Sequence, residues 1–245
     1  MDHNRKVTVT VCSAVVLVAA VSTVMFWYLL KIGCIDKYHP LKKAESGQIK
    51  VACVGDSITY GFGIKDHDVN CYPAVLGRLL GGGYTVNNFG FSDRTAGFGA
   101  NRPYVNETLY DESLEFEPDI VVIMLGTNDS KPYNWVDEDS FVSDYEKIIR
   151  SYQALDSKPK IYIGIPPQTF PVLGKVRYEI DGDAVIEKVC PAVRRVAKEM
   201  NLPIIDINGL LKDKPELFVD GVHPNSEGAQ LVAELVYKEI TKSGV

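Results

Sequence analysis

Five short apolar runs, at residues 50–54, 85–89, 120–125, 160–165 and 204–207, constrain this chain more than anything else in it. They are rich in β-branched residues and bounded by Gly, Pro, Asn or Asp, as buried strands of a parallel sheet are. Stretches of helical character separate them, at 72–80, 140–155, 184–200 and 226–242. In the second stretch Phe141, Tyr145, Ile148, Ile149 and Tyr152 recur at three- and four-residue spacing and make one apolar stripe. Val185, Val189, Val193, Val196 and Met200 do the same in the third. Strands alternating with helices imply the α/β class, as a three-layer α/β/α, flavodoxin-like sandwich around a five-stranded parallel sheet. In such a sheet the strand exits converge on one edge, and ligands bind there.

Chemistry sits at those exits. Gly55-Asp56-Ser57-Ile58-Thr59 follows the first run and puts Ser57 just past its end. Gly126-Thr127-Asn128-Asp129 follows the third and supplies the Asn128 amide. Before the last helix, Asp220-Gly221-Val222-His223-Pro224 offers a histidine with an acid three residues ahead of it. Serine, histidine and acid are the parts of a nucleophilic hydrolase, because a serine hydroxyl attacks only when a base takes its proton. His223 is the candidate base and Asp220 the residue that orients its ring. The other histidines have plainer settings: His3 precedes a long apolar run, His39 follows it, and His67 lies between Asp66 and Asp68 as if solvated. Asp56 and Asp129 are expected to hold their loops through backbone hydrogen bonds.

These blocks resemble the GDSL, or SGNH, family of esterases and lipases, from about Ile49 to the C-terminus. The resemblance implies a serine esterase with Ser57, His223 and Asp220 as catalytic residues. It implies an oxyanion hole made by the N–H of Ser57, the N–H of Gly90 and the Asn128 amide. It implies no metal and no organic cofactor. The residues after Asn128 look most like members that act as carbohydrate O-acetylesterases. Phe91, Arg94, Tyr133 and Trp135, in the loops after the second and third strands, are the candidate substrate contacts, and residues 166–170 are expected to border the cleft. Two alternatives stay open: a lysophospholipase or thioesterase of the same family, and a catalytically silent glycan-binding domain.

The first 48 residues differ in kind. Residues 7–30 carry no charge, and Phe26, Trp27 and Tyr28 cluster near their far end. That length suits a bilayer, and aromatic residues favour its interfaces. The expected organisation is a short tail at 1–6, a transmembrane signal-anchor at 7–30, a tether at 31–48 and a hydrolase domain at 49–245. A cleaved signal, or a lipoprotein signal ending at Cys34, are the alternatives. Lys31, Lys37, Lys42 and Lys43 outnumber Arg5 and Lys6, which favours a cytoplasmic domain. A short tail before a long domain favours the outside, and an extracytoplasmic domain is the expectation taken here. The expected partners are a small-molecule or glycan ester and, through the helix, a membrane. A net charge of -6 speaks against nucleic acid. The chain has five cysteines but no Cys-x-x-Cys pair, so buried free thiols are expected at Cys53, Cys71 and Cys190 rather than a zinc site.

Overall fold

The structure, a computed structural model, describes residues 22–25 and 41–242. Five strands, β1 (Ile49–Gly55), β2 (Tyr84–Gly90), β3 (Ile120–Met124), β4 (Lys160–Gly164) and β5 (Ile204–Ile205), form one parallel sheet in the order β2-β1-β3-β4-β5. The helices are α1 (Ser57–Tyr60), α2 (His67–Asn70), α3 (Tyr72–Leu80), α4 (Thr108–Glu115), α5 (Glu138–Gln153), α6 (Cys190–Glu199), α7 (Ile207–Leu211) and α8 (Ser226–Thr241). This is the expected three-layer α/β fold. The sheet grows from β1 to β2 in one direction and through β3 to β5 in the other, so its switch point lies between β1 and β3.

Side chains alternate along a strand, and this divides the core in two. Ala52, Val54, Val121, Ile123, Ile161 and Ile163 face one side, where they meet the α5 stripe and Val193 and Val196 of α6. Val51, Cys53, Val122, Met124 and Tyr162 face the other, with Val75 and Leu76 of α3 and Val232 and Val236 of α8. Each buried aliphatic side chain contributes roughly 1.5–3 kcal/mol. Arg195 joins α6 to Glu138 and Asp139 of α5 through exposed ion pairs, each worth about 0–1 kcal/mol. The apolar stripes, not the ion pairs, hold these helices to the sheet.

Local capping shifts several boundaries. Helix α5 starts at Glu138 because the Asp137 side chain accepts the Ser140 N–H at 2.7 Å. The run at 204–207 stops as a strand at Ile205, since Asp206 accepts the Gly209 N–H at 3.0 Å and starts α7. Helix α6 is entered through a π-helical turn, Val185–Val189. Helix α4 has no counterpart among the sequence expectations. Residues 41–48, expected as tether, instead lie against β2: the Lys42 N–H donates to Asn87 Oδ1 at 2.9 Å, the Asn87 amide returns a bond to the Lys42 carbonyl, and Leu41 packs on the core. The folded unit therefore includes residues before Ile49. The expected tail, and the anchor and tether apart from 22–25 and 41–48, lie outside the described residues. Among the described residues no helix is long and apolar enough to cross a membrane. Cys53, Cys71 and Cys190 are buried free thiols.

Candidate active site

β1 runs out at Gly55, and Asp56 turns the chain into α1 by accepting the Ile58 N–H on Oδ1 at 2.9 Å. Ser57 is the first residue of that helical turn. Burial, with the charge of nearby Asp129, pushes the Asp56 carboxyl up to about 7. The segment that carries His223 turns at Gly221, whose φ is 86°. A Cβ there would sit 2.1 Å from the Phe170 carbonyl oxygen, so only glycine fits. The turn lets Asp220 Oδ1 accept the N–H groups of Val222, at 3.0 Å, and His223, at 2.9 Å. Just beyond, Asn225 caps α8 by accepting from Glu227 and Gly228, which fixes where the helix starts.

Three side chains from distant segments then line up. His223 Nδ1 lies 2.8 Å from Asp220 Oδ2, and Nε2 lies 2.9 Å from Ser57 Oγ. With the proton on Nδ1 donated to Asp220, Nε2 is free to accept the serine proton. Burial alone would push the Asp220 carboxyl upward, but the His223 hydrogen bond and charge hold it well below the usual carboxylate range. All three residues are at least nine-tenths buried. The Phe62 ring packs on the imidazole at 4.6 Å between centroids, and the Tyr178 ring meets its edge at 5.2 Å. Tyr178 also donates its hydroxyl to Asp220 Oδ2 at 2.8 Å.

Ser57 and His223 open into a cavity of about 330 Å³. One wall comes from the loops after β2 and β3: Ser92, Asp93, Asn128 and Lys131. The other comes from Phe62 and from Tyr178, Glu179 and Ile180. Lys131 is buried and ion-paired with Asp93, which also meets Arg102 at 3.2 Å. The Asn128 side-chain amide donates to the Arg94 carbonyl at 3.1 Å, and the Asn128 backbone carbonyl accepts from the Asn134 side chain at 2.8 Å, so side chain and backbone are each held at the cavity wall. Asp129 points away and accepts the N–H groups of Ala96 and Gly97. The carboxylates thus hold the loops, as expected of Asp56 and Asp129.

Gly90 needs correction. It is not at the cavity but in the ladder, opposite Gly55, and its N–H donates to Asn88 Oδ1 at 2.9 Å. A Cβ on it would come within 2.2 Å of the Tyr60 nitrogen. The glycine is there so that α1 can pack on the end of β2. Asp93, three residues on, has a φ of 67° and does line the cavity. The N–H groups of Ser57 and Asp93 have no hydrogen-bond acceptor among the described residues.

Three of the four expected substrate contacts also lie elsewhere. The Arg94 guanidinium covers the Phe91 ring at 3.9 Å and pairs with Glu107 at 2.6 Å, so each supports the other's loop. Trp135 packs on Phe141 and lines a separate cavity with Asn134 and Asp144. Only Tyr133 reaches the Ser57 cavity, where its hydroxyl donates to Glu179 at 3.0 Å. Residues 166–170 do not line it, and Phe170 packs on Phe218 instead. His67 is buried, 4.9 Å from the Tyr60 ring, and not solvated. Phe62, Asp93, Tyr178 and Glu179 line the cavity without being among the sequence expectations. Of these only Asp93 left a trace, since Asp tolerates the left-handed backbone of a tight loop better than most residues. Among the described residues no group of three or more His, Cys, Asp or Glu side chains is placed to hold a metal ion.

Residues 53–231 match the GDSL-like Lipase/Acylhydrolase family. The chain is 39% identical over 218 residues to an acetylxylan esterase from Xylanibacter ruminicola, an alignment that covers 82% of this chain and 44% of the relative. It therefore spans less than half the length of that relative. A carbohydrate acetylesterase from Sinorhizobium meliloti shares the fold with a TM-score of 0.69 at 19% identity, over 80% of this chain and 100% of the other. The M. smegmatis aryl esterase does so with a TM-score of 0.66 at 19% identity, over 79% and 99%. A lipase/acylhydrolase from Enterococcus faecalis gives 0.65 at 24%, over 80% and 97%.

Proposed function

The chain belongs to the GDSL-like lipase/acylhydrolase family, and from that premise we propose that it is a serine esterase that removes short acyl groups, acetyl above all, from carbohydrate esters. The observation that carries this reading is the unbroken line from Ser57 Oγ through His223 to Asp220, at 2.9 and 2.8 Å. Ser57 Oγ attacks the ester carbonyl while His223 Nε2 takes its proton. The carbonyl C–O bond to the alcohol then breaks, and the same Nε2 returns the proton to the leaving oxygen. Water, deprotonated by His223, splits the acyl-enzyme and regenerates Ser57. The oxyanion is held by the Ser57 N–H, the Asn128 amide and, in place of Gly90, the Asp93 N–H. These are donors at the wall of one cavity, and preorganised donors there act where charge develops.

The substrate class follows from the relative and from the cavity. Asp93, Lys131 and Glu179 put charge on its walls, which suits a hydroxyl-rich alcohol better than a long acyl chain. An intact serine, histidine and acid in hydrogen-bond contact speak against a silent binding domain. The uncharged stretch at 7–30 supports a membrane anchor. The deciding experiment is hydrolysis of p-nitrophenyl esters from acetyl to dodecanoyl, and of acetylated xylan, by the full chain and by Ser57→Ala. Turnover of acetyl esters that Ser57→Ala abolishes is the expected result. A preference for dodecanoyl would replace the sugar-ester reading with the lipid one.

A further inference from the structure

Behind His223 lies an arrangement that the three-residue description does not use. Asp220 Oδ1 is taken by two backbone N–H groups, so its geometry is set by its own turn. Oδ2 receives two donors of another kind, His223 Nδ1 and the Tyr178 hydroxyl, both at 2.8 Å. Tyr178 belongs to the segment between β4 and the helical turn Gly182–Ala184, far from Asp220 in sequence. Its φ is 59° and that of Glu179 is 60°, two successive non-glycine residues in the left-handed region. Such residues cost on the order of 1–2 kcal/mol each and persist only where surrounding contacts hold them. Both of the side chains they present make contacts at the cavity: Tyr178 bonds Asp220, and Glu179 accepts from Tyr133 on the opposite loop. The Tyr178 ring also meets Phe62 at 5.9 Å, so its position is fixed from three sides.

We propose that Tyr178 is a positioning residue for the acid of the site: its hydroxyl holds the Asp220 carboxylate in place against the imidazole and, by sharing Oδ2 with His223, limits how strongly that carboxylate favours the imidazolium. The proposal rests on the serine esterase reading but concerns a residue that need not touch the ester. Burial and the bond to Asp220 push the phenol up to about 12, so it stays a donor through any working pH. The other charged groups facing this corner are Arg177 beside the phenol, Glu179 on the same segment, and the Lys131–Asp93 pair on the far wall. The apolar neighbours, Phe62 and Ile180, bring no charge of their own.

The test compares the full chain with Tyr178→Phe, which keeps the ring contacts and removes only the hydroxyl. Tyr110→Phe serves as a control, because it deletes a phenol bonded to Ser151 away from the site. With p-nitrophenyl acetate, Tyr178→Phe is expected to lower kcat roughly tenfold, the scale of one hydrogen bond to a charged group, with KM within about twofold. Freed of one donor, Oδ2 carries more charge, the imidazolium is favoured, and the acidic limb of kcat/KM moves to higher pH. Tyr110→Phe moves neither. A second readout needs no substrate: the proton NMR signal of His223 Nδ1–H shifts downfield in Tyr178→Phe as its acceptor strengthens. If that signal and the acidic limb stay where they are in the wild type, the proposal is overturned, even if kcat falls. If the wild type turns over no ester but the signal shifts, the esterase reading fails while the positioning of Asp220 stands.

Discussion

One wall of the cavity, with Ser57, Asp93 and Asn128, hangs from the exits of three adjacent parallel strands, β1, β2 and β3. The opposite wall, from Tyr178 to Ile180, comes from a segment between β4 and Gly182 that, beyond a backbone bond from Phe170 to Gly221, carries an isolated bridge between Val172 and Lys175 and no strand. The first wall is held by the sheet, whose central strands are fully buried, and by carboxylate caps such as Asp56 and Asp129. The second is held by side-chain bonds to the site itself, through Asp220 and Tyr133, which keep a strained backbone in place. Chemistry common to ester hydrolysis belongs on a wall that cannot move. Selectivity for one alcohol belongs on a wall whose residues, Tyr178 excepted, can be exchanged without disturbing the core.

The largest effect should come from the rigid side. Ser57→Ala and His223→Ala are expected to reduce kcat by about 10⁴–10⁶ while leaving the thermal midpoint close to that of the wild type. A loss below tenfold for either, measured on p-nitrophenyl acetate, would remove the residue from the mechanism. Next comes Asn128→Ala, with kcat down about 10²–10³ as for one oxyanion donor. A change confined to KM would make Asn128 a binding residue only. Gly90→Ala is the contrasting case on the same wall. Its Cβ would overlap the Tyr60 backbone nitrogen at 2.2 Å, where no flexible group can give way. It should cost about 1–3 kcal/mol or more of stability, seen as a lower thermal midpoint, with kcat per folded molecule much less affected than in Asn128→Ala.

What could be read from the sequence follows the same division. Ser57 and Asn128 were legible because a buried strand announces itself by its β-branched run, and the residue just past it must face the ligand edge. His223 and Asp220 were legible because a histidine three residues after an acid can close on it within one turn. Gly90 shows where this stops. A strand's end cannot be placed to the residue from composition, and β2 runs on through Gly90, so the position that leaves the ladder for the cavity is Asp93. Residue type alone marks Arg94 and Phe91 as substrate contacts, but a cation beside an aromatic ring satisfies itself. Tyr178 and Glu179 lie in a stretch with no period, and nothing local tells that their side chains fold back onto Asp220. His67 misled for a related reason: its acidic neighbours look solvated, yet the ring turns inward onto Tyr60.

Where the two walls meet, at Tyr133 and Glu179, the response should appear in binding instead of rate. Tyr133→Ala removes a cavity side chain and the bond to Glu179, so KM for acetylated xylan fragments is expected to rise several-fold, on the scale of about 1 kcal/mol for one lost contact. Arg94→Ala and Trp135→Ala, which the structure keeps out of that cavity, should leave KM within about twofold. Steady-state kinetics on the three variants checks the assignment, and equal effects from all three would put Arg94 and Trp135 back at the cavity.

The smallest effect concerns the rigid wall's dependence on pH. Burial raises the Asp56 carboxyl to about 7, and its Oδ2 is buried with no hydrogen-bond partner among the described residues. A carboxyl whose folded-state value lies above its unfolded value binds its proton more tightly in the folded state. Its contribution to stability is therefore fully present below the unfolded value, near 3.9, and is lost as pH rises through about 7. Asp129, pushed up to about 6 by burial, acts in the same direction. Asp220, held low, acts in the opposite one and is lost only in strong acid. Asp56→Asn keeps an N-cap acceptor for Ile58 and removes the titration. The wild-type thermal midpoint should fall as pH rises from about 5 to 8, and the variant should fall less over the same range. If both curves are parallel, Asp56 is ionised in the folded protein throughout, and the turn that presents Ser57 is stabilised by a buried charge instead of a buried acid.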